Sequence, residues 1–208
     1  MYLPTHFADN NPAELHRLIE QYPLGLLIDT TPTGVSADLI PLQLQAGNSS
    51  QLIGHIARAN PLGKRLESRE VLVVFNGPSH YVSPHYYPSK RSDPKVVPTW
   101  NYAMVQVRGQ LSFIQDPDAI LEIVTTLTDR HERALAHTPW QVSDAPAEYI
   151  DKMLTAIIGI RIDISEMEGK FKASQNRSAT DREGVLTART QQVGPELAAW
   201  TVRPPHST

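Results

Sequence analysis

The sequence contains no cysteine. Disulfides, thiol nucleophiles and thiolate metal sites are therefore excluded together. No apolar run approaches the ~20 residues that a membrane-spanning helix needs. A basic excess is missing as well, with 19 Lys and Arg against 22 Asp and Glu and a formal net charge of −3. A protein that lives by neutralising nucleic-acid phosphates carries a surplus of cations, so this balance argues against direct DNA binding. Neither a Gly-Lys-Ser/Thr phosphate loop nor a Gly-x-Gly-x-x-Gly fingerprint occurs. The start, Met1-Tyr2-Leu3-Pro4-Thr5-His6, lacks the basic and apolar regions of a secretory leader, so a soluble, cytoplasmic protein is expected.

What is present is a chain of 208 residues, 40% hydrophobic, enough for one packed domain with an appendage. Asn10-Asn11-Pro12-Ala13-Glu14 is a helix start, and Leu15, Leu18 and Ile19 form an apolar stripe that ends at Tyr22-Pro23. The period then changes. Leu24–Thr30, Ala37–Leu44 and Gln51–Arg58 are short, partly alternating segments separated by turn formers, which predicts antiparallel strands. Val71–Phe75 is a β-branched run closed by Asn76-Gly77-Pro78, and His80–Ser83 is a short strand followed by a loop from Pro84 to Pro98. Trp100–Phe113 is the longest strand pattern.

Asp116-Pro117-Asp118 predicts a helix to about Ala136 with Ile120, Leu121, Val124 and Leu127 inward. A second helix is expected over Ala145–Leu154, capped by Asp144, then a last strand over Ile157–Ile164. A polar basic segment follows Gly169, then a helix from Asp181 and a frayed Pro-rich tail. Six or seven short strands with two or three helices predict a mainly β (α+β) fold, a small barrel with helical decoration.

Some apparent signals carry no chemistry. His131-Glu132-Arg133-Ala134-Leu135 resembles a zincin helix but has Leu where the second His belongs. His80 and His85 offer two ligands where a zinc site needs three or four, so no metal site is predicted. Three segments are harder to explain as scaffold. Gly54-His55-Ile56-Ala57-Arg58-Ala59-Asn60-Pro61 delivers Arg58 and Asn60 into a Pro-terminated corner; pairing of Arg58 with a surface carboxylate is the plain alternative. The stretch from Phe75 to Lys90, continued by Val97–Tyr102, gathers Ser83, Tyr86, Lys90, Thr99, Trp100 and Asn101. A ring system with a charged tail needs such planar faces, amides, hydroxyls and a cation, although a loop stiffened by aromatics and prolines would read the same way. In Glu168–Arg177, an extended backbone would put Lys170, Lys172 and Ser174 on one face with Gln175 and Asn176 at the turn. That is a plausible phosphate grip, against the alternative of a solvated basic stretch.

Taken together, Tyr2-x-Pro4-x-His6-Phe7, Gly54–Pro61, Gly77-Pro78 with Tyr81-Val82-Ser83-Pro84, Tyr87-Pro88-Ser89-Lys90, Val97-Pro98-Thr99-Trp100-Asn101-Tyr102, and Glu168-Gly169-Lys170 with Ser174-Gln175-Asn176-Arg177 resemble the PaiB family of FMN-binding negative transcriptional regulators. The resemblance is collinear from residue 2 to about Gly184. It implies a six-stranded antiparallel Greek-key split barrel, related to flavin-binding split barrels, over residues 1–184, with a C-terminal extension over 185–208. It also implies a homodimer holding flavin mononucleotide (FMN) at the subunit interface, with Pro84–Lys90 and Lys170–Arg177 coming from different subunits. On this reading Lys170, Lys172 and Ser174 hold the phosphate with help from Arg58, and Trp100, Asn101 and Tyr86 contact the ring. Ser83, Lys90, Thr99, Gln175 and Asn176 complete the expected contacts. The chain departs from the family pattern at Ile40, where members carry His. Two functions stay open at this point: a flavin-responsive regulator, or a flavin-dependent oxidoreductase acting on a small molecule. The latter needs an acid–base group beside the ring, for which His55, His80 and His85 are the candidates, and no catalytic residue is assigned.

Overall fold

The alternation that begins at Leu24 is realised as long strands. In the computed structural model, which describes residues 1–45, 47–135 and 138–203, β1 spans Ala8–Asp9, β2 Leu24–Thr31, β3 Gly34–Gln45, β4 Asn48–Ala57, β5 Arg69–Val82, β6 Thr99–Ile114 and β7 Ile157–Lys172. β2, β3 and β4 form an antiparallel meander, and β5 returns to lie on β2. The resulting order β5-β2-β3-β4 is a Greek key. β7 pairs with β4 and also with β6, which closes six strands into a ring. The expected six-stranded barrel is therefore present, and the two-residue β1 is an addition that pairs with β7 at Lys170 and Gly169. Gly109 lies where a side chain would meet the backbone of β7: a Cβ there would sit 2.5 Å from the Asp163 carbonyl oxygen.

The residues cluster into two units. The first, Tyr22–Phe75 with Val107–Met167, contains the closed ring. Leu27, Leu42, Leu52, Val73, Val107 and Ile160 are buried within it, each stabilising the fold by ~1.5–3 kcal/mol. Ile40 is buried among them, so the departure from the family pattern fills core. Asp29 is also buried and is clamped by Arg65 and Arg69. The unit also carries α2 (Pro117–Glu132) and α3 (Ala147–Thr155). The second unit, Met1–Gln21 with Asn76–Gln106 and the chain from Glu168 on, holds α1 (Pro12–Gln21), α4 (Ala179–Val193) and α5 (Pro195–Thr201). Among the described residues no helix is long and apolar enough to cross a membrane.

Several elements differ from expectation. Asn76-Gly77-Pro78 does not end a strand: β5 runs through it, but the buried side chains shift from Val71, Val73 and Phe75 to His80 and Val82. The parity changes where β5 leaves the first unit, and in the second unit Val82 packs with Tyr87 and Val185. β7 continues eight residues past Ile164, to Lys172, through pairing that local sequence does not reveal. Asp116 caps α2 as expected, accepting from the Ala119 N–H at 3.1 Å. Ile123, rather than Leu121 or Val124, is the buried partner of Ile120 and Leu127. α2 ends at Glu132; Ala136, its expected end, lies outside the described residues. Asp144 does not cap α3; its carboxylate holds the Gln141 N–H in a 3-10 turn over Val142–Asp144. The expected tail forms α5, which buries Trp200 against Phe171 with centroids 6.0 Å apart, while 204–208 lie outside the described residues.

Candidate functional site

Within the second unit, the end of β7 sorts its residues by parity. Gly169 and Phe171 are buried, whereas Lys170 and Lys172 are half-buried on the opposite face. The Lys172 ammonium donates to the Thr99 hydroxyl. Lys170 donates to the Tyr2 carbonyl at 2.8 Å and lies 5.6 Å from the Tyr102 ring centre and 5.4 Å from that of Tyr2. Just past the strand, the Arg177 guanidinium lies over the Tyr87 ring. Burial pulls the Lys172 pKa below the ordinary lysine value; Tyr102 opposes this, and the charges of Lys170 and Arg177 lower it further. Three cations thus share one field. Neither Lys170 nor Lys172 forms an ion pair among the described residues.

The turn after β7 is knitted shut. Asn101 is buried, and its amide donates to the Ser174 hydroxyl and to the Thr201 carbonyl, both at 2.8 Å. Its carbonyl oxygen is buried with no partner. Ser174 adopts φ +63°, the left-handed region that costs a non-glycine residue energy. Gln175 donates to the Phe171 carbonyl and accepts from the Ala173 N–H at 2.7 Å. These groups satisfy backbone atoms that the turn after β7 would otherwise leave unpaired.

The expected site residues therefore fall into distinct places. Lys170, Lys172 and Thr99 come together. Asn101, Ser174 and Gln175 form a buried network, with Asn176 exposed beside it. Trp100 is exposed, edge-to-face with Tyr81 at 6.1 Å, and strand alternation turns it away from Asn101. The Ser83 hydroxyl accepts from the His85 N–H at 3.2 Å, capping the 3-10 turn Pro84–Tyr86. The Tyr86 hydroxyl accepts from Gln192 at 3.1 Å, and Lys90 shares a cavity of about 570 Å³ with Tyr86, Tyr87 and Arg91. Arg58 belongs to the first unit, where it donates to the Thr155 and Ile157 carbonyls at 2.9 and 3.0 Å. Pro84–Lys90 and Lys170–Arg177 meet within one chain, where Arg177 lies over Tyr87. Arg177 and Tyr102 were missed as functional candidates. Both stand inside strings that were singled out, and only the fold shows that they face the lysines.

Residues 1–166 match the family described as "Putative FMN-binding domain". The chain belongs to this family. It is 35% identical over 226 residues to the uncharacterized protein AN0679 of Emericella nidulans, covering 90% of this chain and 89% of that one. It is 28% identical over 197 residues to protease synthase and sporulation protein PAI 2, the PaiB protein of Bacillus subtilis, with 94% and 92% covered. The PaiB resemblance is thereby borne out. Among solved structures, it is similar to the flavocytochrome Anf3 of Azotobacter vinelandii, with a TM-score of 0.58, 14% identity and 80% and 70% coverage. It is also similar to the FAD and heme binding protein of Mycobacterium smegmatis, with a TM-score of 0.57, 17% identity and 79% and 73% coverage. Likeness at these identities is one of fold, and the fold is the split barrel.

Proposed function

We propose that the chain is a cytoplasmic FMN-binding regulatory protein in which occupancy by the flavin, rather than turnover, is the output. The observation that carries the reading is the cation group of Lys170, Lys172 and Arg177: Asp181 offsets Arg177, but neither lysine has an ion-pair partner among the described residues, and Lys172 is partly desolvated. Desolvating an ammonium beside two like charges is unfavourable unless an anion offsets it, and a phosphate dianion suits such a group. The Thr99 hydroxyl adds a neutral donor at the same place. The exposed Trp100–Tyr81 pair on β6 and β5 supplies aromatic surface of the kind a flavin ring stacks on. When bound, FMN supplies redox-active ring chemistry; the chain's own residues bind and orient it. Family membership supports FMN, and the FAD-binding name of a structural neighbour supports a flavin. The resemblance to the PaiB family of negative transcriptional regulators implies a regulatory role, and the acidic balance supports one without direct DNA contact.

Riboflavin, which has the ring but no phosphate, separates the two roles. Lys172→Ala should weaken FMN binding ~10–100-fold, the loss of one charge-assisted contact, and barely alter riboflavin binding. Trp100→Ala should weaken both alike. If Lys172→Ala affects both ligands equally, or neither, the phosphate assignment fails.

A homodimer belongs to this reading, supported by the outward face of β2 and β3. Leu24, Val35 and Leu39 are 50%, 73% and 63% exposed there, and the pairing sets Leu26 against Leu39 and Leu24 against Pro41. An apolar sheet face of this kind is suited to a second copy. Sedimentation at micromolar concentration should give twice the 23.2 kDa chain mass, and Leu39→Lys should release single chains. A wild-type protein that sediments only as the single chain overturns the dimer.

A further inference from the structure

A groove of about 580 Å³ runs between α2, α3 and the turn Val142–Asp144 in the first unit. Leu121, Val142 and Ile150 give it an apolar lining, and Asp129 and Asp151 line it too. Next to these residues in the chain stand Leu135, Trp140, Tyr149 and Met153, which are 51%, 43%, 55% and 38% exposed. Single exposed hydrophobics are ordinary, but four within nineteen residues are not. Trp and Tyr are also the side chains that most often anchor interfaces. Trp140 is positioned, since its backbone N–H donates to the Glu132 carboxylate at 3.0 Å.

The electrostatics define the partner. Residues 116–153 carry eight carboxylates against three Lys and Arg, so this segment is more acidic than the whole chain. Asp129 pairs with Arg133 at 3.4 Å, an exposed contact on one helix that is worth little. Asp151 has no ion-pair partner among the described residues. Nucleic acid and anionic lipid are repelled by such a field. A symmetric contact with a second copy would set these carboxylates against themselves.

We propose that this groove docks a basic amphipathic segment of another protein, with apolar side chains against Leu121, Val142 and Ile150 and cations against Asp129 and Asp151. The proposal uses none of the flavin-site residues, so the two stand or fall separately.

The test uses full-length protein and two labelled sixteen-residue peptides. Both carry Leu at helical spacing; the remaining positions are Lys in one and Glu in the other. Fluorescence anisotropy should show the Lys peptide binding at least ~10-fold tighter than the Glu peptide, with affinity falling as salt rises. Asp129→Asn combined with Asp151→Asn should weaken the Lys peptide ~5-fold or more, and Trp140→Ser with Tyr149→Ser should do the same through lost apolar contact. All four positions are exposed or half-exposed, and circular dichroism confirms that the variants fold. Equal binding of both peptides, or wild-type affinity in both double variants, overturns the proposal. So does a groove filled by a second copy, seen as Trp140→Ser with Tyr149→Ser converting a dimer to single chains.

Discussion

The Arg177 guanidinium lies 4.7 Å from the ring centre of Tyr87. This contact joins the turn after β7 to the loop after β5, and it holds the third cation of the phosphate-binding candidate in place. Tyr87 is itself buried with Val82 and Val185. Arg177→Gln should therefore cost both stability, by ~1 kcal/mol for a lost cation–π contact, and FMN affinity. Arg177→Lys should recover more of the affinity than of the stability, because charge survives and the planar stack does not. Thermal melts alongside FMN titrations check this; equal recovery of both by Lys would show that the stack is unimportant.

His80 is buried with both ring nitrogens unpartnered. Burial, then the charge of Arg189, brings its pKa down from 6.5 to about 4. The unfolded chain therefore takes up the proton first as pH falls. The contribution of His80 to stability is complete above about pH 6.5 and is lost as pH drops toward 4, by about 2 kcal/mol between pH 7 and 5. His80→Leu should flatten that slope. Urea midpoints at the two pH values measure it, and an unchanged slope in the variant would disprove the assignment.

Asp29 receives Arg69 through Nε at 3.0 Å and Nη2 at 3.2 Å, and Arg65 through Nη2. Replacing one member of a buried charge cluster leaves the others uncompensated, so Asp29→Ala should cost about 3–5 kcal/mol. A urea midpoint within error of wild type would show that water reaches the two arginines.

Gly184 on α4 faces the loop after β5, where a Cβ would run into the Tyr86 carbonyl oxygen. Gly184→Ala should destabilise by about 1–3 kcal/mol through overpacking, even though Ala favours helix. Thermal melting of the variant decides the sign; stabilisation would mean that the helix shifts without cost.

Much of the barrel was legible because its cause is local. Alternation from Leu24 through Leu44 marks inward and outward faces, and Asp116-Pro117 reads as a cap in any context. Turn residues misled where pairing partners overrode them, as at Asn76-Gly77-Pro78 inside β5. Asn101, Ser174 and Gln175 look like ligand donors by type. In the fold their hydrogen bonds go to one another and to backbone groups from Phe171 to Thr201, a need invisible until the turn after β7 is built. Lys170 and Lys172 were legible because a strand's two-residue period places them together whatever surrounds it. The packing of Trp200 on Phe171 joins residues far apart in sequence, and no local signal announces it.

The change of face in β5 makes the length of the Asn76–Ser79 stretch, more than its composition, the constrained quantity. Losing one residue there would reverse every side chain after it. Tyr81 would be driven into the interior, and His80 and Val82 would be turned toward water. Substitution at the exposed Asn76 and Ser79 should thus be far better tolerated than deletion, whereas Gly77, where a Cβ would sit 3.1 Å from the Ala103 carbonyl oxygen, should tolerate neither well.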